Sequence, residues 1–245
     1  MTAVSPPFPS SLPLPNHPCI KVVSSFEELV STPFAEGVNA MCWPRELPGD
    51  FGEIVAKLSL GAGITTLDEA CLHDLELSDA GKVARSILIE DQRILREREL
   101  APVLDFINGY VNDAEEGDEE ALPTHVQSFH VDSATVEADT FLCTYHGSSS
   151  EGLRNEEAIR HVDIPQTRAE LLKFYGGEDD ADFLEYLNDH FYDLHYAPLP
   201  GAQPYSFGVG HLWRVAIQYP GCPVLPCIHR APATIPDRPR LLLIS

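Results

Sequence analysis

An α+β fold is expected from three features of the chain. The first half carries apolar residues at helical spacing, the second half carries short β-type runs between Gly, Pro and Ser turns, and a helical pair interrupts those runs. The 245 residues suit one domain, since a single core stops growing near about 250–300 residues. Hydrophobic residues at 44% suffice for a sizeable core. With 16 basic and 38 acidic side chains, the net charge of −22 repels phosphate backbones and anionic lipid. Neither a nucleic-acid nor a membrane partner is expected; a small-molecule substrate is. No run approaches the roughly 20 apolar residues of a membrane span, and Met1 to Ile20 has no basic segment followed by an apolar one. The six cysteines form no C-x-x-C pair and read as reduced thiols, so a cytoplasmic location is expected.

Six of the 21 prolines fall within the first twenty residues, and proline both fixes φ and removes a backbone donor. Residues 1–20 are therefore expected to be a disordered tail, and 21–245 a single catalytic domain. Its part 24–111 reads mostly helical. Ser25 is a plausible cap, Val83, Ile87, Leu88, Asp91, Ile94 and Leu95 follow helical spacing up to Pro102, and one strand, Val38 to Trp43, interrupts. The acidic run Asn112 to Glu120 has no apolar periodicity and marks a boundary. In the β core, 123–245, strands are expected at Val126 to Val131, Thr140 to Tyr145, Tyr205 to Tyr219, Val224 to Arg230 and Arg240 to Ile244. The insertion 167–194 reads as two helices split at Gly176 and Gly177. No glycine-rich phosphate loop occurs, so nucleotide chemistry has no support.

The string Phe129-His130-Val131-Asp132 carries the chemistry. A strand alternates its side chains, which places His130 and Asp132 on one face. His229, in Cys227-Ile228-His229-Arg230-Ala231-Pro232, is the best third ligand. Two histidines and a carboxylate are the facial donor set of non-haem Fe(II) oxygenases, which leaves coordination positions open. Ten residues separate His229 from Arg240, at the start of a strand.

This pattern resembles the H-x-D…H-x10-R signature of the iron(II)/2-oxoglutarate dioxygenase superfamily. The resemblance implies a double-stranded β-helix core, a jelly-roll or cupin-like barrel, with the N-terminal helices packed outside. It implies Fe(II) held by His130, Asp132 and His229, with 2-oxoglutarate and dioxygen as co-substrates. Arg240 would grip the distal carboxylate of 2-oxoglutarate, with Arg238 in reserve, a task suited to a planar, permanently charged fork. Succinate and carbon dioxide would form while a substrate C–H bond is hydroxylated, desaturated or closed into a ring. The chain is also similar to an uncharacterised family of small microbial proteins through Trp43-Pro44-Arg45, His130-Val131-Asp132, Thr144-Tyr145-His146-Gly147 and His229-Arg230-Ala231-Pro232. It departs from that family at Ser148-Ser149-Ser150-Glu151-Gly152, and at Thr140, where an arginine is common.

Tyr145 is expected to line the cofactor pocket, with His146 and Trp213 as further lining candidates. Arg154, Arg160 and Arg230 are expected to meet surface acids rather than substrate. A competing site would be a closed zinc centre from Cys222, Cys227, His229 and Cys143, and His211 is a weaker third ligand for the triad. Two other readings use the same His/Asp/His set: a cupin-like metal-binding sensor without turnover, and a redox-inactive isomerase or hydrolase.

Overall fold

Helices form where the chain supplies both a cap and an apolar stripe. The computed structural model describes residues 15–58, 61–110, 122–233, 235 and 238–245. Strand β1 (Ile20–Val22) leads into helix α1 (Phe26–Ser31), whose first turn is closed by the Ser25 side chain accepting from the Glu28 N–H. Then come β2 (Ala40–Trp43), α2 (Phe51–Leu58), β3 (Gly63–Thr66) and α3 (Glu69–His73). The long helix α4 (Asp79–Arg96), capped by Ser78, follows the expected stripe and buries Ala84, Leu88, Asp91 and Leu95.

The remaining strands are β4 (Val103–Asn108), β5 (Phe129–His130), β6 (Asp139–His146), β7 (Glu151–Leu153) and β8 (Ala158–Arg160). After α5 (Pro165–Tyr175) and α6 (Ala181–Asp189) the chain forms β9 (His195–Pro198), β10 (Tyr205–Ser206), β11 (Leu212–Ala216), β12 (Ile228–Arg230) and β13 (Arg240–Ile244). The two inserted helices are separated by Gly176, whose φ of 75° ends α5 in the left-handed region.

Two sheets result. One has seven strands in the order β1-β2-β11-β6-β13-β4-β3, the other six in the order β10-β7-β12-β5-β9-β8. Among the described strands all pairings are antiparallel except β1 with β2. Ala40, Cys42, Leu142, Trp213 and Val215 of the larger sheet pack with Phe207 and Cys227 from the side of the smaller one. The opposite face of the larger sheet, carrying Leu104, Phe106, Phe141, Cys143, Tyr145, Leu241 and Leu243, is covered by apolar residues of α1 to α4. The helical layer thus lies on one outer face of a mixed α+β structure, and no helix among the described residues is long and apolar enough to cross a membrane.

Several expectations are corrected. The part read as mostly helical contains two further strands, β3 and β4, beside β2, and Ile20, placed at the end of the tail, begins β1. Residues 1–14 and the acidic run lie outside the described residues. The single strand expected over 205–219 is two strands, β10 and β11, because Gly208 and Gly210 between them turn the chain at φ values of 74° and 85°. The expected strand from Val224 shortens to β12, since Pro226 has no N–H for a ladder.

A buried ionic network fixes α4 to the larger sheet. Arg45 Nη1 donates to Asp91 Oδ1 at 2.7 Å, and the Tyr145 hydroxyl donates to Asp91 Oδ2 at 2.5 Å. The Arg45 and Asp91 side chains are only 8% and 6% exposed. Removing one partner strands a charge in the interior, which typically costs about 3–5 kcal/mol. Asp91→Ala is expected to lower the free energy of unfolding by about that amount in urea titration; a loss below about 1 kcal/mol would show the network to be dispensable.

Candidate metal centre

The centre depends on register. His229 on β12 pairs directly with His130 on β5, so both side chains leave the same face of the six-stranded sheet. Strand β5 ends at His130, and Asp132 lies just beyond it, held by its backbone carbonyl accepting from Gln218 N at 2.8 Å. The Thr140 hydroxyl, on β6, donates to Asp132 Oδ2 at 2.5 Å. Asp132 therefore bridges the sheets.

The three side chains converge. His130 Nε2 is 3.8 Å from Asp132 Oδ1, and His229 Nε2 is 3.7 Å from Asp132 Oδ2. One ligand atom from each residue lies within 4.8 Å of the others, and among the described residues no other group of three His, Cys, Asp or Glu does so. Each imidazole is oriented by a carbonyl two residues earlier: His130 Nδ1 is 2.8 Å from Ser128 O, and His229 Nδ1 is 3.2 Å from Cys227 O. A carbonyl can only accept, so each Nδ1 carries a proton, and Nε2 is the ring atom turned toward Asp132. Burial, and then the neighbouring His229, push the His130 pKa down to about 4. Two imidazoles and a carboxylate are a donor set that suits a divalent transition metal.

Arg240 is 3% exposed. Its Nε donates to Ser148 O at 2.7 Å, Nη1 to the Tyr110 hydroxyl at 2.8 Å and Nη2 to Ser150 Oγ at 3.2 Å. None of these partners is a carboxylate, and among the described residues Arg240 forms no ion pair. Burial holds its pKa below the usual value, against the opposing pull of Tyr110. Gly147 makes room for it: at φ of 85°, a Cβ there would lie 2.7 Å from Pro239 O and 3.1 Å from Arg240 Cγ. Arg238, the reserve, is exposed.

Tyr145 is not part of this group. Strand alternation turns it to the helix-covered face, where it meets Asp91 and stacks on Phe51 with ring centroids 5.5 Å apart. Thr144, one residue earlier, takes the inward face, on the same side of β6 as Thr140. Its hydroxyl has no hydrogen-bond partner although the residue is 2% exposed. Leu242 pairs with Thr144, which places Arg240 two residues along β13 on the same face.

The other candidates fall elsewhere. Trp213 is fully buried and stacks on Phe207 at 4.5 Å, and Phe207 in turn lies 6.5 Å from the His229 ring. His146 lies near Gly52 and Asp50 at the start of α2. His211 accepts from Arg45 N at 3.1 Å and does not join the triad. The cysteines proposed for zinc are not assembled: Cys143 lies 3.3 Å from Arg45 Nη2 on the helix side, Cys222 donates to Val224 O, and Cys227 points between the sheets. Arg154 pairs with Glu157, Arg160 with Asp163 and Arg230 with Glu151, as expected of arginines in an acidic protein. Sequence reasoning missed Ser128, Thr144, Tyr110 and His195. Only Thr144 left a signal, as a polar residue in step with Thr140 along a buried strand.

The comparisons with known proteins were negative. The chain matches no family model, no curated protein and no solved structure.

Burial also pushes His195 down to about 4. Both His130 and His195 titrate near 6.5 when unfolded, so between pH 6.5 and 4 the unfolded chain binds more protons and the native state loses stability as pH falls. The metal-free protein is expected to show a falling Tm over this window. The fall should be smaller in His130→Asn and in His195→Asn, and identical slopes in all three proteins would contradict the assignment.

Proposed function

We propose that this protein is a non-haem Fe(II)/2-oxoglutarate-dependent oxygenase that oxidises a C–H bond of a small molecule, an amino acid being one candidate. The observation that carries the reading is the combination of the His130, Asp132, His229 donor set with a buried arginine lacking a carboxylate partner. A desolvated guanidinium is costly unless an anion meets it, and a protein of net charge −22 has many acids with which to satisfy one. Among the described residues Arg240 meets none. The Thr144 hydroxyl, on the same sheet face, is a buried donor without a partner among them.

The strand order supports the double-stranded β-helix. Within the larger sheet β4-β13-β6-β11 are neighbours, and within the smaller one β5-β12-β7-β10. Taken as eight strands in chain order, the first lies beside the eighth, the eighth beside the third and the third beside the sixth; the second lies beside the seventh, the seventh beside the fourth and the fourth beside the fifth. That nesting is the pairing of a jelly roll.

In this reading His130, Asp132 and His229 hold Fe(II), and bound iron with 2-oxoglutarate and dioxygen supplies the oxidising chemistry. Arg240 binds the distal carboxylate of the co-substrate, and Thr144 donates a hydrogen bond to it. Thr140 keeps Asp132 oriented and, as the donor, keeps its Oδ2 from turning away. The carbonyls of Ser128 and Cys227 keep the imidazole tautomers that present Nε2. The net charge of −22 argues against nucleic-acid and anionic-membrane partners, and six free cysteines argue for a cytoplasmic location.

Anaerobic addition of Fe(II) and 2-oxoglutarate is expected to produce the weak visible charge-transfer band of the chelate. His130→Ala and His229→Ala should abolish it. Arg240→Ala should raise the half-saturating 2-oxoglutarate concentration at least about 30-fold, since truncating one partner of a buried charge pair costs about 2 kcal/mol or more. Metal bound at stoichiometry with no band would reject this reading in favour of a metal-binding sensor or a redox-inactive metalloenzyme. Thr144→Val should raise both Tm and the 2-oxoglutarate requirement, because it removes an unpaired buried hydroxyl and a ligand donor together. Improved stability with unchanged 2-oxoglutarate binding would remove Thr144 from the site.

A further inference from the structure

A third imidazole stands beside the triad. His195 on β9 pairs directly with His130, as His229 does from the other side, so the three rings form a row across β12, β5 and β9. Ring centroids are 4.7 Å apart for His130 and His229, and 5.7 Å apart for His130 and His195. His195 is 4% exposed and lies outside the group of converging ligand atoms. Its Nδ1 is 2.6 Å from Ser128 Oγ.

Ser128 is where the connections meet. Its hydroxyl donates to the His125 carbonyl at 2.8 Å. A hydroxyl has one hydrogen, so with that hydrogen committed the contact with His195 is a bond in which His195 Nδ1–H donates and Ser128 Oγ accepts. The backbone carbonyl of the same Ser128 accepts from His130 Nδ1 at 2.8 Å. One residue thus orients a ligand through its main chain and is itself held through its side chain.

We propose that His195 is a positioning residue of the metal centre, acting through Ser128: it holds the chain at the start of β5 so that the Ser128 carbonyl fixes the tautomer and tilt of His130. The inference rests on the reading of the triad as a metal site. Outer partners of metal-bound histidines are typically worth about 10–100-fold in metal affinity. The bond from His195 is one residue further out, so an effect at the low end, about 10-fold, is expected.

The test is Co(II) binding to the full chain without 2-oxoglutarate, followed by the visible d–d absorption, with thermal unfolding of each metal-free variant alongside. Ser128→Ala keeps the carbonyl and removes the hydroxyl. His195→Phe keeps a ring and removes the donor. His195→Asn places an amide where Nδ1 stands and keeps the bond. Ser128→Ala and His195→Phe should each weaken Co(II) binding about 10-fold, the double variant should be no weaker than either, and His195→Asn should bind like the native protein. The band shape should not change.

Unchanged affinity in Ser128→Ala and His195→Phe, with or without a lower Tm, would overturn the proposal, as would additive losses in the double variant. A changed band shape in His195→Phe alone would make His195 a direct ligand instead. A native protein that binds no Co(II) would remove the metal reading as well, whereas native binding with unaffected variants removes only the role of His195.

Discussion

The pairing of β5 with β12 is the constraint on which the site depends. A single register, His130 opposite His229, places two imidazoles from distant parts of the chain on one face. A slip of one residue would turn His229 outward and bring Ile228 or Arg230 into its place. The same register sets Gly152 of β7 opposite His229. There the ring of Tyr205 fills the space, so closely that a Cβ on residue 152 would lie 2.2 Å from it. Glycine at this position lets an aromatic body reach across the strand and pack near Cys227, whose carbonyl orients His229.

The two faces of the larger sheet have different work. Its outer face meets the helices through apolar side chains and through the Arg45, Asp91 and Tyr145 network, in which donors and acceptors are matched. Its inner face holds polar groups at intervals along β6 and β13: Thr140 is matched to Asp132, while among the described residues Arg240 meets no carboxylate. Buried polar groups are normally satisfied, and the Thr144 hydroxyl, which is not, lies on the strand beside Arg240. The sheet is thus pinned on its outer face and polar at intervals on its inner one.

The elements that could be read from the chain are those whose signal is local. Ser25 caps α1, the stripe through Leu88 and Leu95 gives α4, and Arg240 to Ile244 is a strand as expected. The His-x-Asp string and the distance from His229 to Arg240 pointed to residues that the fold brings to the inner faces of the two sheets. What failed was the facing of strands covered on both sides. In Thr140 to Tyr145 the residues of both faces are buried, so no alternation of apolar with polar marked which side Tyr145 would take. Strand β4 alternates at its start, with exposed Val103, buried Leu104, half-buried Asp105 and buried Phe106, and was missed because it follows a run of helical spacing in the chain. Ser128 and His195 were beyond local reading altogether, because their meaning comes from a pairing between strands separated by the helical insertion.

The distance between paired strands also sets an order of events during folding. His130 meets His229 only when β5 and β12 have paired, and Arg240 reaches Ser148 and Ser150 only when β13 has closed against β6. Such long loops delay contact formation, so no partly folded chain presents all three donors at once. The site is then a late product of folding, and a ligand that needs the whole triad draws the chain only toward its fully paired state.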